Sequence, residues 1–416
     1  MALHRPPRTL PYPLRWLLPD LAAGRISSLR RLSVAAVEDT TVQVSFAAPP
    51  GRLDLQITGP ATNGRPADPS RQGPGLEHRG GPAVVVIDQL QPDQPIQIRL
   101  GAADPTRTLT VRTRTLPRPP GPELARIVTI SDLHLGSVAH GLARTMVDRS
   151  PHPDPAPVRC ARGAITDAAA WNPTLLVAKG DLTQNGFAEE WRLLGQLLDT
   201  HGPGLARLGL PGNHDTPRRR NIDATRGLEL AGFPHQRLAV GEPEWRDLEG
   251  VRVVALDSTV AHQSQGTLAP QWQHAIDLAA EAAAQHRAVL LCLHHPLERA
   301  PVQLQYPKGV AWAEGRAFAQ ALHRANPRSL ITAGHTHRNR KRKVGPLIHT
   351  EVASTKDWPG VWGGYAIHEG GIRQVVRRIS DPEALGWLDY TRWAALGLWW
   401  PYSPGRLSER CFTLRW

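Results

Sequence analysis

Five short polar motifs punctuate the chain between residues 132 and 337: Asp132-Leu133-His134, Gly180-Asp181, Gly212-Asn213-His214-Asp215, His294-His295 and Gly334-His335-Thr336-His337. Imidazoles, carboxylates and one amide, with no thiolate among them, make the donor set that a pair of borderline divalent ions prefers. In extended backbone, residues two apart point to the same side. Asp132 and His134 can therefore reach one ion together, and His335 and His337 can straddle two neighbouring ions. Taken singly, some of these motifs say little. Gly-Asp is a common turn, Asp-x-His is as often a hydrogen-bonded pair as a metal site, and His294-His295 fits one packed and one exposed ring. Gly-Asn-His-Asp and Gly-His-Thr-His are far rarer, and nearly every motif follows an apolar stretch, where an α/β sheet places its ligand site. The ordered set points to a metal centre.

Elements able to position these motifs are legible around them. Apolar strand candidates are Ile127–Ile130, Leu175–Ala178, Val251–Leu256, Val289–Leu293 and Leu330–Thr332. Helical stretches alternate with them at Ala161–Ala170, Glu189–Leu198, Gln271–Ala284 and Ala313–Ala325, and a hairpin is expected over Tyr365–Ile379 around Gly370-Gly371. This alternation predicts an α/β domain over residues 124–379. Upstream the texture differs. Residues 29–116 carry a period-two pattern (Val42, Val44, Phe46; Leu53, Leu55, Ile57; Ile96, Ile98, Leu100; Leu109, Val111) broken by Gly/Pro turns, which predicts a small β-sandwich. The loop from Asn63 to Gly81 is expected to be mobile. Residues 117–123, with Pro117, Pro119, Pro120 and Pro122, read as a stiff linker across which few contacts are expected. An N-terminal extension (1–28) and a Trp-rich tail (380–416), expected to pack its rings on the domain surface, complete the division.

The ordered motifs resemble the calcineurin-like metallophosphoesterase family over about residues 124–379. The resemblance implies a central β-sandwich flanked by helices, and a phosphoester hydrolase using two metal ions (Fe, Mn or Zn). It implies Asp132, His134 and His337 on the first ion, Asn213, His294 and His335 on the second, and Asp181 bridging both. His294 rather than His295 is the implied ligand. His214 would face the phosphate, and Asp215 would orient it through a hydrogen bond. Two such ions would clamp phosphoryl oxygens and acidify a bridging water, whose hydroxide attacks phosphorus in line. Purple acid phosphatases also carry a leading β-sandwich, but they have a metal-binding tyrosine three residues after the bridging aspartate, where this chain has Gln184, and they lack a counterpart of His134. The chain looks instead like the group containing cyclic-nucleotide and glycerophosphodiester phosphodiesterases, with a phosphomonoesterase or a DNA nuclease of the family as alternatives. Leu90-Gln91-Pro92 followed by Ile96-Gln97-Ile98 resembles the late-strand pattern of fibronectin type III domains, although Ile96 stands where those carry a tyrosine.

Two basic runs invite a substrate role. Arg218-Arg219-Arg220 follows the fourth motif, and Arg218 and Arg219 are the candidate substrate-binding residues. Arg338-Asn339-Arg340-Lys341-Arg342-Lys343 follows the last motif and is expected to be a solvated hairpin rim. The formal net charge of +12 does not itself argue for nucleic acid, because only five of the 49 basic residues are lysines, a sign of compositional bias. The expected partner is a small phosphoester such as a nucleotide, not a nucleic acid. Three scattered cysteines predict no disulfide framework, and no apolar run reaches the eighteen residues of a membrane span. Pro19 and Asp20 interrupt the only apolar stretch near the start, so no secretory leader is read and a cytoplasmic location is expected.

Overall fold

The computed structural model describes residues 28–59, 76–102, 108–141, 145–216, 222–302 and 306–416. Residues 1–27, most of the loop after Asn63, and Arg218 and Arg219 lie outside the described residues.

Seven strands come first: β1 (Arg30–Val37), β2 (Val42–Ala48), β3 (Gly51–Thr58), β4 (Leu76–His78), β5 (Gly81–Ile87), β6 (Pro95–Ala102) and β7 (Thr108–Arg114). They form two antiparallel sheets, ordered β1-β2-β5 and β4-β3-β6-β7. Alternate residues of each strand face the space between the sheets. Val42, Val44 and Phe46 meet Leu53, Leu55, Ile98 and Leu100 there in one apolar core.

The remaining strands are β8 (Glu123–Ile130), the two-residue pair β9 (Ala139–His140) and β10 (Met146–Val147), β11 (Leu175–Lys179), β12 (Arg207–Leu210), β13 (Glu244–Leu248), β14 (Val251–Ala255), β15 (Ala288–Cys292), β16 (Ser329–Ala333), β17 (Arg340–Val344), β18 (Leu347–Glu351), β19 (Val361–His368), β20 (Gly371–Arg378) and β21 (Phe412–Arg415). The helices that cover them are α1 (Ala156–Ala170), α2 (Ala188–His201), α3 (Ala224–Leu230), α4 (Gln236–Ala239), α5 (Trp272–Ala284), α6 (Trp312–Ala325) and α7 (Pro382–Thr391). Two six-stranded sheets result, β12-β11-β8-β19-β20-β21 and β13-β14-β15-β16-β18-β17. Strands β12, β11 and β8 run parallel, as do β14, β15, β16 and β18.

The strands of these parallel stretches are apolar without alternation because both of their faces are covered. Ile127, Leu175 and Val177 meet Val253, Leu290 and Leu330 between the two sheets. Val128, Ile130, Leu176 and Ala178 turn outward onto α1 and α2. Val254, Val289, Leu291 and Ile331 do the same toward Ala275, Ala279 and Phe318 of α5 and α6. The result is a helix–sheet–sheet–helix stack, the expected α/β architecture preceded by a small β domain. The carboxyl ends of β8, β11, β12, β15 and β16 gather at one edge of the stack.

The linker does not isolate the two parts. Glu38 and Asp39, at the β1–β2 turn, are each 3% exposed and pair with residues of β20. Arg373 bridges Asp39 and Glu38, Arg377 holds Glu38, and Arg118 of the linker reaches Asp39 at 2.6 Å. Trp171 Nε1 donates to Glu38 at 3.3 Å, and Gln43 exchanges two 2.8 Å hydrogen bonds with the Arg378 backbone. The expectation of few crossing contacts is therefore corrected. Prolines stiffen the covalent connection, but they do not govern what the flanking surfaces bury against each other.

The second basic run is also not a solvated rim. β17 and β18 form a hairpin in which Arg338, Arg340 and Arg342 lie 3.3–3.5 Å from the carboxylate of Glu351, a side chain with no exposure. Thr336 Oγ1 donates to the same carboxylate at 2.6 Å. The three guanidinium groups gather around a buried charge. The Trp-rich tail folds back over the same region: Trp387 is 7% exposed, and the Trp393 and Trp400 rings lie 5.9 Å apart. Cys160, Cys292 and Cys411 are all free and buried.

Candidate metal centre

Each motif begins where its strand ends. Asp132 and His134 follow β8, Asp181 follows β11, Asn213 follows β12, His294 follows β15, and His335 and His337 follow β16. The backbone at these points is unusual. Asp132, His134, Asp181, His335 and His337 all have left-handed φ between 45° and 70°, a conformation that costs a non-glycine residue energy and that clusters at functional sites. The glycines that open the motifs differ among themselves. Only Gly180 (φ 79°) is left-handed. Gly212 has an ordinary φ, but a Cβ there would strike the Asp181 backbone nitrogen and lie 2.9 Å from His294 Nε2. Its role is to let two ligand loops touch.

The side chains converge. Asp181 Oδ2 lies 3.3 Å from His294 Nε2 and 3.6 Å from His134 Nε2. Asp132 Oδ1 lies 3.4 Å from His337 Nε2. The nitrogens of His134 and His337 face each other at 3.4 Å, and those of His294 and His335 at 3.1 Å. Asp132, His134 and His337 form one potential metal-holding group, Asp132, Asp181 and His294 another, and His294, His295 and His335 a third. Asn213 Oδ1 is buried beside them and has no hydrogen-bond partner. A buried amide oxygen left unpaired is costly unless something absent from the protein atoms satisfies it.

Hydrogen bonds on the outer side of each ring fix which nitrogen is offered. His294 Nδ1 bonds the Lys179 carbonyl at 2.9 Å, His335 Nε2 the Lys308 carbonyl at 2.9 Å, His134 Nδ1 the Gln184 Oε1 at 3.2 Å and His337 Nδ1 the Asp357 carboxylate at 2.7 Å. These acceptors require the outer nitrogen to carry the proton. In each neutral ring the inner nitrogen then presents a lone pair to a shared space, the arrangement metal-binding histidines adopt. Nitrogen lone pairs facing each other make poor partners; a cation between them removes the conflict. The donor set therefore fits metal ions.

The electrostatics agree. Burial opposes charge on His294, but Asp181 outweighs it and pushes the ring up to about 9. Burial likewise opposes charge on His337, where Asp357 and Asp132 lift it to about 10. His335 is depressed to about 3, by burial first and then by His294, and His134 falls well below its usual value for the same leading reason, followed by Lys356 and His214. Asp132 and Asp181 are held below the carboxylate range: burial works against their charge and the adjacent histidines prevail. The carboxylates thus favour positive charge at His294 and His337, while burial and neighbouring charge oppose it at His335 and His134.

His214 joins Asp181 and His134 in a further group, and its Nδ1 lies 3.1 Å from the Gln184 carbonyl. The contact expected from Asp215 is corrected. Its carboxylate accepts from the backbone N–H groups of Leu182, Thr183 and Gly212 and from Thr183 Oγ1, all within 3.1 Å, so it braces two ligand loops. Gln184 takes the role instead, reaching His134 through Oε1 and His214 through its amide nitrogen at 3.2 Å. Of the two adjacent histidines, His294 faces Asp181, and His295 turns Nδ1 to Ser258 Oγ at 2.9 Å. Sequence reasoning noticed Gln184 only as the absence of a tyrosine. It missed Asp357 altogether, because a lone aspartate in a Lys-Asp-Trp-Pro turn has no motif spacing to announce it.

A family model described as calcineurin-like phosphoesterase matches residues 125–339, just over half of the chain. The chain belongs to this family. It is a metal-dependent phosphoester hydrolase. Solved structures similar to it include PhoD, at 10% identity over 86% of this chain and 89% of that one with a TM-score of 0.41. A 5'-nucleotidase from Candida albicans is 13% identical over 67% of this chain and 57% of its own, with a TM-score of 0.38. The phosphopantetheinyl hydrolase of Mycobacterium tuberculosis is 16% identical over 56% of this chain and 91% of its own, with a TM-score of 0.31. No curated protein matches the chain. Among the described residues no helix is long and apolar enough to cross a membrane.

Proposed function

We propose that this phosphoesterase hydrolyses a phosphodiester with water, using two ions held by Asp132, His134 and His337 on one side and by Asn213, His294 and His335 on the other, with Asp181 between them. The observation that carries the reading is the set of inward lone pairs: four rings tied at their outer nitrogens, two carboxylates, and an amide oxygen with no other partner. When bound, such ions supply Lewis acidity, polarising phosphoryl oxygens and lowering the pKa of water. The protein's own residues do the rest. His214, whose Nδ1 is held by Gln184, can in its protonated form donate from Nε2 to the leaving alkoxide or a phosphoryl oxygen as charge develops there. The diester preference rests on the resemblance carried by His134 and by Gln184 in place of a tyrosine. Iron, manganese and zinc all suit the donor set. The split of three and four strands in the leading domain supports reading it as fibronectin type III-like.

Purified protein should cleave an aryl phosphodiester faster than the matching monoester, lose that activity to a chelator and regain it with manganese. A monoester preference would shift the proposal to a phosphomonoesterase. Turnover indifferent to exhaustive chelation would remove the metal reading.

A further inference from the structure

Lys356 lies on the loop between β18 and β19, which wraps the Asp132 side of the cluster. Ser354 Oγ donates to the Asp132 carbonyl at 3.0 Å, Thr355 N to the Ser131 carbonyl at 3.1 Å, and Asp357 accepts the His337 ring proton at 2.7 Å. Lys356 is 6% exposed. Its backbone carbonyl is turned the other way, accepting from Trp387 Nε1 and Cys160 Sγ.

The ammonium is the unusual feature. Among the described residues it has no hydrogen-bond acceptor and no carboxylate at ion-pair distance. Its sequence neighbour is not the missing partner: Asp357 spends Oδ2 on His337, and its Oδ1 is buried with no partner at all. Instead, the Lys356 charge bears on the cluster. The buried carboxylates of Asp357, Asp132 and Asp181 favour that charge from beyond contact distance, and the His140 ring lies stacked 6.4 Å from that of His337. A largely enclosed ammonium with no acceptor in contact is unfavourable by itself. Beside a phosphoester site, the anion that would pair with it is the substrate.

We infer that Lys356 is a substrate-binding residue that donates to a non-bridging phosphoryl oxygen from the β18–β19 loop beside the cluster. This rests on the phosphoester-hydrolase reading of that cluster. A compact ammonium on a flexible stem neutralises one oxygen without demanding the paired geometry a guanidinium needs, so it can serve a group whose third substituent varies.

Orthophosphate is the probe, titrated calorimetrically into manganese-loaded natural protein, Lys356→Met and Lys356→Arg, with metal content measured on each. Lys356→Met should stay folded with two ions per chain and bind orthophosphate about 10- to 100-fold more weakly, the worth of one charge-assisted hydrogen bond. Lys356→Arg should recover most of the affinity. Orthophosphate bound equally well by Lys356→Met overturns the proposal. So does loss of an ion from that variant, which would make the lysine a brace of the ligand loop. If Lys356→Met does not fold, Lys356→Gln is judged by the same two measurements. Natural protein that takes up neither metal nor orthophosphate refutes the site reading itself, and the lysine's role falls with it.

Discussion

The molecule buries two concentrations of charge, and they are built on opposite principles. At the seam between the leading β domain and the catalytic sheets, Glu38 and Asp39 meet Arg373, Arg377 and Arg118, so that each carboxylate has guanidinium partners in contact. At the strand ends, imidazole nitrogens face imidazole nitrogens, and Asn213 Oδ1 faces no donor. At the seam every carboxylate meets an opposite charge supplied by the protein, although Arg373 Nε itself has no acceptor among the described residues. The cluster lacks such partners, and this incompleteness marks a site built to hold something. Burial and charge density look alike in the two places; the direction in which donors and acceptors point separates structure from function.

The sharpest way to break this comparison is Asp181→Ala. It removes the carboxylate that lies against both His134 and His294 and should cost metal occupancy together with essentially all turnover, yet leave the metal-free fold intact by circular dichroism. A variant that retained both ions would place the centre of the cluster elsewhere. Next in size is His214→Ala, expected to keep two ions while turnover falls roughly 10²–10⁴-fold. The loss should be greatest for basic leaving groups if His214 protonates them, and uniform if it only steadies a phosphoryl oxygen. Near-normal kinetics would make His214 a packing residue.

The seam should respond in the reverse manner. Arg373→Met leaves Glu38 and Asp39 buried with one fewer cation and should cost about 3–5 kcal/mol in denaturant unfolding, with metal content per folded chain unchanged. A chain beginning at Pro122 loses all of these partners at once and is expected to express poorly as folded protein. Smallest is an acid effect. Burial resists charge on Asp39, but Arg373 and Arg118 outweigh it and hold the carboxyl below its usual range. A depressed carboxylate contributes stability above its unfolded pKa of about 3.9, and that contribution fades as pH falls through the folded value. The natural protein should therefore lose more stability than Asp39→Asn between about pH 5 and pH 2. Parallel curves would show that the pair contributes nothing.

The catalytic strands were legible because residues buried on both faces leave uninterrupted apolar runs, and the ligand motifs because rare tetrapeptides end those runs. β12 escaped because Arg207-Leu208-Gly209-Leu210 is too short and too mixed to register. β17, the run Arg340-Lys341-Arg342-Lys343-Val344, read as a solvated surface because its counter-charge, Glu351, lies on the next strand and only pairing across the hairpin brings them together. The seam was invisible for the same reason: Glu38 and Arg373 are 335 residues apart. Asp215 was misjudged because adjacency in sequence suggested adjacency of side chains, whereas the turn sends its carboxylate back to Gly212 and across to Leu182 and Thr183. Local pattern carries strands and motifs; it does not carry the partners that hold them.

One contact in the tail bears on the order in which the molecule is made. Ser403 Oγ bonds the carbonyl of His337 and, at 2.9 Å, that of Trp358, and Asn339 Nδ2 reaches the Pro404 carbonyl at 3.2 Å. All seven candidate ligands have left the ribosome long before this clamp, which is translated 66 residues after His337. A nascent chain that already owns every metal-binding side chain still lacks the piece that pins two of its loops. Premature termination between Asp357 and Ser403 releases a protein with a full ligand set whose His337 backbone lacks this tether.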